Sequence, residues 1–356
     1  MSILRIVRRL GGVSLAMVLV LSGPAHARQA PELTIESIDE DFERQMVALE
    51  RQRLERLARL AASQTGEQAN TTYLAYFRQA IAGNLFQEAE PLAEQLLQQR
   101  QASNDVIYLA EVVNILAEAD RGAFQQSLES IVQAIQAGEL APIEGDEVER
   151  GGVLPLAARL TLLEAYYQRV VQADQFDIAR QAFQKMLDNA EASPIQEYLS
   201  ARLAQLGLVG QQAPAIEGND LDGDPVRLAD FEGNVVLIVF WTTWSVPNAQ
   251  QAEALNAIYD QYRDQGFRVL GINLDTVEAG EQEAGTVPPN VRRFVLDYNL
   301  RWPNLVNGAG DRDHAKAYHV TEVPATYLVG RDGKIAHLDL SRTNLESVIA
   351  RELGAP

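Results

Sequence analysis

The sequence predicts a helical domain built from repeated hairpins, followed by an α/β domain whose central sheet is flanked by helices. Three observations carry this reading. From Ile35 to Leu206 apolar residues recur at helical spacing almost throughout. Inside that stretch one short pattern occurs three times, at residues 84–89 (N-L-F-Q-E-A), 122–127 (G-A-F-Q-Q-S) and 174–179 (D-Q-F-D-I-A). It consists of a turn former, an aromatic two positions later and a small residue three beyond that. Finally, Val235 to Trp241 reads V-V-L-I-V-F-W, an apolar run rich in β-branched and aromatic residues, as a strand buried on both faces requires.

Met1 to Ala27 has the make-up of a removable leader. Arg5, Arg8 and Arg9 form a positive start, Val13 to Leu21 an apolar centre, and Ala25-His26-Ala27 a small-x-small cleavage site. The apolar run is far short of the ~20 residues that span a bilayer. Arg8-Arg9-Leu10 leaves export by the general or the twin-arginine route open, and the absence of cysteine excludes a lipid-anchored cysteine. The expectation is an exported, periplasmic protein cleaved after Ala27 and held together by packing alone. The chain has 30 Lys and Arg against 49 Asp and Glu, and loss of the leader's three arginines takes the formal charge from −19 to −22. Such a surface excludes nucleic acid and anionic membranes as partners.

The helical domain is expected over 32–206. Phe42, Met46, Leu49, Leu54, Leu57 and Leu60 make an amphipathic stripe that should pack on the following helices. The three short patterns resemble the turn and second helix of tetratricopeptide repeats, in which the aromatic fills the gap between paired helices and the small residue permits their close approach. The phenylalanines are 38 and 52 residues apart, more than the ~34 of an ideal array, and the stretch 139–154, with Pro142, Gly145, Gly151 and Gly152, interrupts it. The resemblance implies a surface for an exported protein or peptide partner. A last helix should have Ser193 as cap, Pro194 in its first turn, Gln196 completing a capping box and Gly207 beyond its end. Residues 207–213 read as a linker.

The α/β domain is expected over 214–356. Ile216 to Leu228 should form a hairpin turning at Asp222-Gly223-Asp224. After the strand at Val235, Thr242 to Ser245 turn the chain, Ser245 caps a helix and Pro247 sits in its first turn. That helix buries Ala249, Ala252, Leu255, Ile258, Tyr259 and Tyr262 and stops at Gly266; Phe267 to Leu274 is the next strand, joined by a right-handed crossover. Asp275 to Pro289 is an acidic loop whose carboxylates, Asp275, Glu278, Glu281 and Glu283, do not have EF-hand spacing and read as solvated. Beyond it come a helix at Val291 to Tyr298, an edge pairing at Trp302 to Val306, a short helix at Asp313 to Tyr318 and a strand at Ala325 to Val329.

Residues 240–248, F-W-T-T-W-S-V-P-N, resemble F-W-A-T-W-C-P-P-C of the TlpA/ResA branch of the thioredoxin superfamily. Residues 321–329, T-E-V-P-A-T-Y-L-V, resemble its second mark, V-x-G-x-P-T-T-F-L-I. The resemblance implies a thioredoxin fold with a mixed sheet, a cis peptide at Pro324, and a groove formed by Trp244, Ser245, Val246, Pro247, Val323 and Pro324 in which the backbone of Val323 pairs with an extended substrate. Both redox positions are changed, to Ser245 and Asn248. The family's chemistry needs a thiolate at a helix start and a second thiol to resolve the mixed disulfide. A hydroxyl and an amide supply neither, and the chain holds no other sulfhydryl. A T-x-x-C peroxidase reading through Thr242 and Ser245 lacks a thiolate in the same way. Serine hydrolase chemistry lacks G-x-S-x-G, and His314, His319 and His337 have no metal-ligand spacing. The reading is therefore an exported module of the thiol-disulfide oxidoreductase family with no catalytic residues, cofactor or metal, which binds protein or peptide. Its alternatives are an oxidoreductase working by an unrecognised route and a structural piece of an envelope assembly.

Overall fold

The computed structural model describes residues 34–138, 154–275, 288–308, 312–341 and 344–354, with only the backbone of residues 35, 36, 40 and 246–251. The leader, the interruption at 139–153 and the acidic loop from 276 to 287 lie outside the described residues. Among the described residues no helix is long and apolar enough to cross a membrane. Leu49–Pro356 make one compact unit and Met1–Ala48 another.

Helix α1 (Ile35–Ala62) leads into three helical hairpins: α2 (Gly66–Ala82) with α3 (Phe86–Gln99), α4 (Asn104–Asp120) with α5 (Phe124–Gln136), and α6 (Leu156–Gln172) with α7 (Phe176–Asp188). Their turns are alike because the recurring pattern dictates them. Asn84, Gly122 and Asp174 adopt left-handed φ values of 51°, 78° and 58°, which Gly, Asn and Asp tolerate best. The next N–H then reaches back five residues, from Leu85 to Ala80 O at 2.8 Å, from Ala123 to Glu118 O at 2.9 Å and from Gln175 to Val170 O at 3.0 Å. These bonds close carbonyls that a helix end would otherwise leave open. A phenylalanine starts each second helix, and one turn on Ala89, Ser127 and Ala179 are fully buried, small enough for the paired helices to meet.

Helix α4 is buried along most of its length, and with it two carboxylates. Burial pushes Glu111 up to about 7 against the pull of Arg100. It also raises Glu118, which accepts hydrogen bonds from Asn114 Nδ2 and Ser130 Oγ at 3.1 Å each.

Two expectations are corrected here. Of the α1 stripe, Leu54 is buried and Leu57 packs on the core, while Phe42, Met46, Leu49 and Leu60 are exposed. At helical spacing Leu54 and Leu57 lie roughly a quarter-turn round α1 from Leu49 and Leu60, so the two pairs do not share one face. Helix α8 (Ser193–Gly207) begins at Ser193 rather than after it, with Ala192 in the capping position and no side-chain cap. Gln196 donates instead to Ala190 O at 2.6 Å, and Gly207 is the last helical residue.

A hairpin of β1 (Glu217–Asn219) and β2 (Pro225–Arg227) precedes β3 (Val235–Trp241), α9 (Val246–Tyr262), β4 (Phe267–Asn273), α10 (Pro289–Asp297), β5 (Asn304–Val306), α11 (His314–Ala317), β6 (Ala325–Val329), β7 (Ile335–Leu338) and α12 (Leu345–Leu353). The sheet order is β5-β4-β3-β6-β7, parallel among the first three strands and antiparallel where β6 and β7 join. It is a thioredoxin-fold sheet with β3 at its centre. Alternation along β3 separates two cores: Val235 and Leu237 pack with Leu255, Ile258 and Tyr262 of α9 and Val348 and Ile349 of α12. Val236, Ile238 and Phe240 belong to a cluster continuous with the helical hairpins. Each outer strand meets backbone from elsewhere in the chain at one residue. Residues 209–213, expected to be a linker, meet the start of β7 and the turn before it, with Gly210 N–H donating to Ile335 O at 2.8 Å and Ala213 N–H to Gly333 O at 3.0 Å. Asp220 bridges to Leu305 on β5.

The helices meet the sheet through a buried polar cluster. Arg202 of α8 is 4% exposed and stacks over Tyr167 at 4.5 Å and Tyr198 at 5.6 Å. Its guanidinium contacts Glu164 of α6 at 2.5 Å, Glu322 at 3.3 Å and Asp339 at 3.7 Å, and donates to Gln205 Oε1 at 2.9 Å. Glu322 is largely exposed, so Glu164 and Asp339 supply most of the compensation for a buried charge. Tyr167 O–H donates to Asp339 at 3.2 Å, and Tyr327 O–H donates to Tyr318 O at 2.6 Å. A second clamp joins Asp174, in the α6–α7 turn, to His337 Nδ1 at 2.7 Å and Arg351 at 2.8 Å.

Removing one member of a buried charge cluster strands the others. Arg202→Met should lower unfolding free energy by about 3–5 kcal/mol, measured by urea denaturation. Burial pushes Asp339 up to about 6, against the pull of Arg202, from an ordinary 3.8. A carboxyl raised on folding favours the native state most when protonated, so its contribution is present below pH ~4 and lost as pH rises through about 6. Glu111 has the same sign up to about pH 7. Unfolding free energies measured across pH 4 to 7 should therefore have a falling component that Asp339→Asn and Glu111→Gln each flatten. Asparagine tolerates the left-handed φ of 46° at position 339.

Candidate functional site

The site lies where the central strand ends. The buried run of β3 closes with Trp241, whose ring lies 5.0 Å from that of Phe294, and the buried Thr242 starts the turn. Thr243 is fixed by a carboxylate from the neighbouring strand. Its N–H donates to Asp275 Oδ1 at 2.8 Å and its hydroxyl to Oδ2 at 2.5 Å. Asn290 Nδ2 donates to the same carboxylate at 2.8 Å and to the Thr243 hydroxyl at 2.9 Å. Asn273 Nδ2 adds a bond to Asp275 Oδ1 at 3.1 Å. Asp275 is thus a half-buried hub rather than a solvated loop residue. The pattern of the loop hid this, because its acids are read together until β4 is known to end two residues earlier.

Beyond Thr243 the chain opens outward. Trp244 is 62% exposed, the most prominent aromatic of the turn. Ser245 occupies the capping position of α9 with φ −84° and ψ 114°, but its side chain makes no cap hydrogen bond. The expected hydroxyl cap is corrected: the position is retained and the bond is not made. Pro247 lies in the first helical turn, where a missing N–H costs nothing. Of Val246, Pro247 and Asn248 only the backbone is described.

The second half of the predicted groove arrives through β6. Phe240 pairs with Ala325, and one further step of the register sets Pro324 opposite Trp241, four residues before Ser245. The Val323–Pro324 peptide is cis, and both residues are half-buried. The backbone therefore brings Trp244, Ser245 and the α9 start to the same end of the sheet as Val323 and Pro324. Arg202 reaches the same loop from the helical side through Glu322, a link between residues 120 positions apart that no local pattern marks.

The chemistry this constellation can perform is narrow. No cysteine exists in the chain, so no disulfide can form or be exchanged here. Activation of the Ser245 hydroxyl needs a base. His314 is buried with Nε2 at 3.2 Å from Glu217 O, and His337 is held between Asp174 and Glu352. Among the described residues no group of three His, Asp or Glu side chains is placed to hold a metal ion.

Residues 209–338 match the AhpC/TSA family. Thiol-disulfide oxidoreductase ResA of Bacillus thuringiensis subsp. konkukian is 28% identical over 127 residues, covering 36% of this chain and 66% of that protein, so the chain spans just under two thirds of that relative. Thioredoxin-like protein YneN of Bacillus subtilis is 32% identical over 126 residues, covering 35% of this chain and 68% of that protein. Among solved structures, the thioredoxin domain of a thiol-disulfide oxidoreductase from Bacteroides vulgatus is similar at 25% identity, with a TM-score of 0.36, over 41% of this chain and 97% of that one.

Asp275→Ala would leave the donors of Thr243, Asn273 and Asn290 without their shared acceptor. It should cost about 1–3 kcal/mol of stability, and urea denaturation should read this as a lower midpoint with an unchanged slope.

Proposed function

Because the chain belongs through its C-terminal region to the AhpC/TSA family and its ResA-like thioredoxin relatives, yet holds no cysteine and has Ser245 and Asn248 where its turn resembles the family's paired thiols, we propose that it is a redox-silent binding module. It holds an extended or unfolded segment of another exported protein at the sheet end formed by Trp244, Ser245, Val246, Pro247, Val323 and Pro324. The observation that carries this is the combination of an exposed Trp244 with a turn held open by Asp275, in a chain without sulfhydryls. An exposed aromatic on a rigid support is a common anchor of protein interfaces, and α9 would supply only backbone dipoles where the relatives supply a thiolate.

The reading extends to the rest of the chain. The leader would deliver the protein to the periplasm, and the three hairpins, with their matching left-handed turns and small buried residues, support a tetratricopeptide-like array offering a second contact surface. The rigid polar junction at Arg202 would present the two surfaces in fixed register.

Two measurements test it. Purified protein should reduce insulin no faster than a buffer blank with dithiothreitol or glutathione; turnover above the blank sinks the proposal. Reduced, carboxymethylated α-lactalbumin, a permanently unfolded probe, should bind as read by fluorescence anisotropy, and Trp244→Ala should weaken that binding about tenfold or more. The variant Ser245→Cys with Asn248→Cys should gain reductant-dependent insulin reduction, since it restores both thiols to the turn.

A further inference from the structure

Away from the sheet, a cavity of about 130 Å3 opens among α4, α5, α6, α7 and the start of α8. Its walls are apolar, chiefly Val112, Ile115, Leu162, Leu163, Met186 and Ile195. Closely packed interiors leave few spaces of this size, and a dry apolar cavity of roughly 150 Å3 accommodates a benzene ring. The space is therefore large enough for a small apolar body, and it communicates with solvent.

Its polar lining is sparse and uneven. Arg159 is half-buried at the first turn of α6, and Glu191 is exposed beyond α7. Burial pushes the pKa of the half-buried Tyr108 hydroxyl up, and the Arg159 guanidinium beside it offsets part of that rise. Among the described residues neither side chain makes a hydrogen bond or ion pair to a third group. A cation and a hydroxyl thus line an otherwise apolar cavity. A guanidinium presents its N–H groups as a fork matched to carboxylate oxygens. The exposed Glu191 charge is screened by water, but it disfavours a ligand carrying a second negative charge.

We propose that this cavity binds a small monocarboxylate with an apolar body, its carboxylate on Arg159 and Tyr108 and its chain among Val112, Ile115, Leu162 and Leu163. The site is separate from the sheet end and independent of the reading given to it.

Isothermal titration of the full-length protein with octanoate tests the assignment. Saturable binding is expected, weakening roughly threefold to fourfold for each methylene removed between hexanoate and butanoate, the part of the chain the space can enclose. Arg159→Gln should weaken octanoate about tenfold or more while leaving octan-1-ol unchanged, and octylammonium should bind more weakly than octanoate. Val112→Trp, which fills the cavity, should abolish binding, with thermal melting confirming that the variant is folded. The proposal is overturned if octanoate shows no saturable binding, if octylammonium binds as well as octanoate, or if either variant folds and retains wild-type affinity. Should Val112→Trp fail to fold, the Arg159→Gln comparison between octanoate and octan-1-ol decides alone.

Discussion

A guanidinium held out of water is the constraint on which this architecture turns. Burial of Arg202 is tolerable only while Glu164, Asp339, Gln205 and the faces of Tyr167 and Tyr198 all remain in place. Those partners come from α6, from α8 itself and from the segment after β7, so satisfying one side chain fixes three parts of the chain against one another. The apolar cluster shared by the hairpins and the sheet supplies adhesion, but hydrophobic contact is indifferent to small rotations. Direction comes from the polar cluster and from the second clamp of Asp174 on His337 and Arg351. Asp174 serves twice, since the left-handed turn it closes in the helical array is also what aims its carboxylate at the sheet.

Legibility of the fold in the sequence followed the range of the interactions involved. The three hairpin turns could be read because their cause is local: a residue tolerant of positive φ, an aromatic and a small residue within six positions. Strand β3 could be read because burial on both faces leaves no alternation to confuse, and β6 because its motif is contiguous. What could not be read depended on distant partners. Position 245 looked like a hydroxyl cap, yet its side chain makes no such bond. Asp275 looked solvated among other acids, yet parallel pairing of β3 and β4 delivers it to Thr243. Residues 209–213 looked like a linker because their pairing partner, β7, lies more than a hundred residues away.

The turn at the sheet end shows how a site's shape is separable from its reactivity. Thr243 is tied to Asp275 and Asn290 through backbone and hydroxyl groups, and none of these bonds involves the side chains of 245 or 248. Exchanging those two side chains alters what the turn can do chemically without disturbing the bonds that shape it. Asp275 and its neighbours are consequently as informative about the scaffold as the residues of the motif itself.

The pairing of residues 209–213 with β7 and of Asp220 with β5 has a further outcome. The chain's own backbone thus reaches both margins of the sheet, at the first residue of β7 and at one residue of β5, which shortens the ladder left for a foreign strand. Copies of the protein crowded together have less free edge through which this sheet could grow sideways.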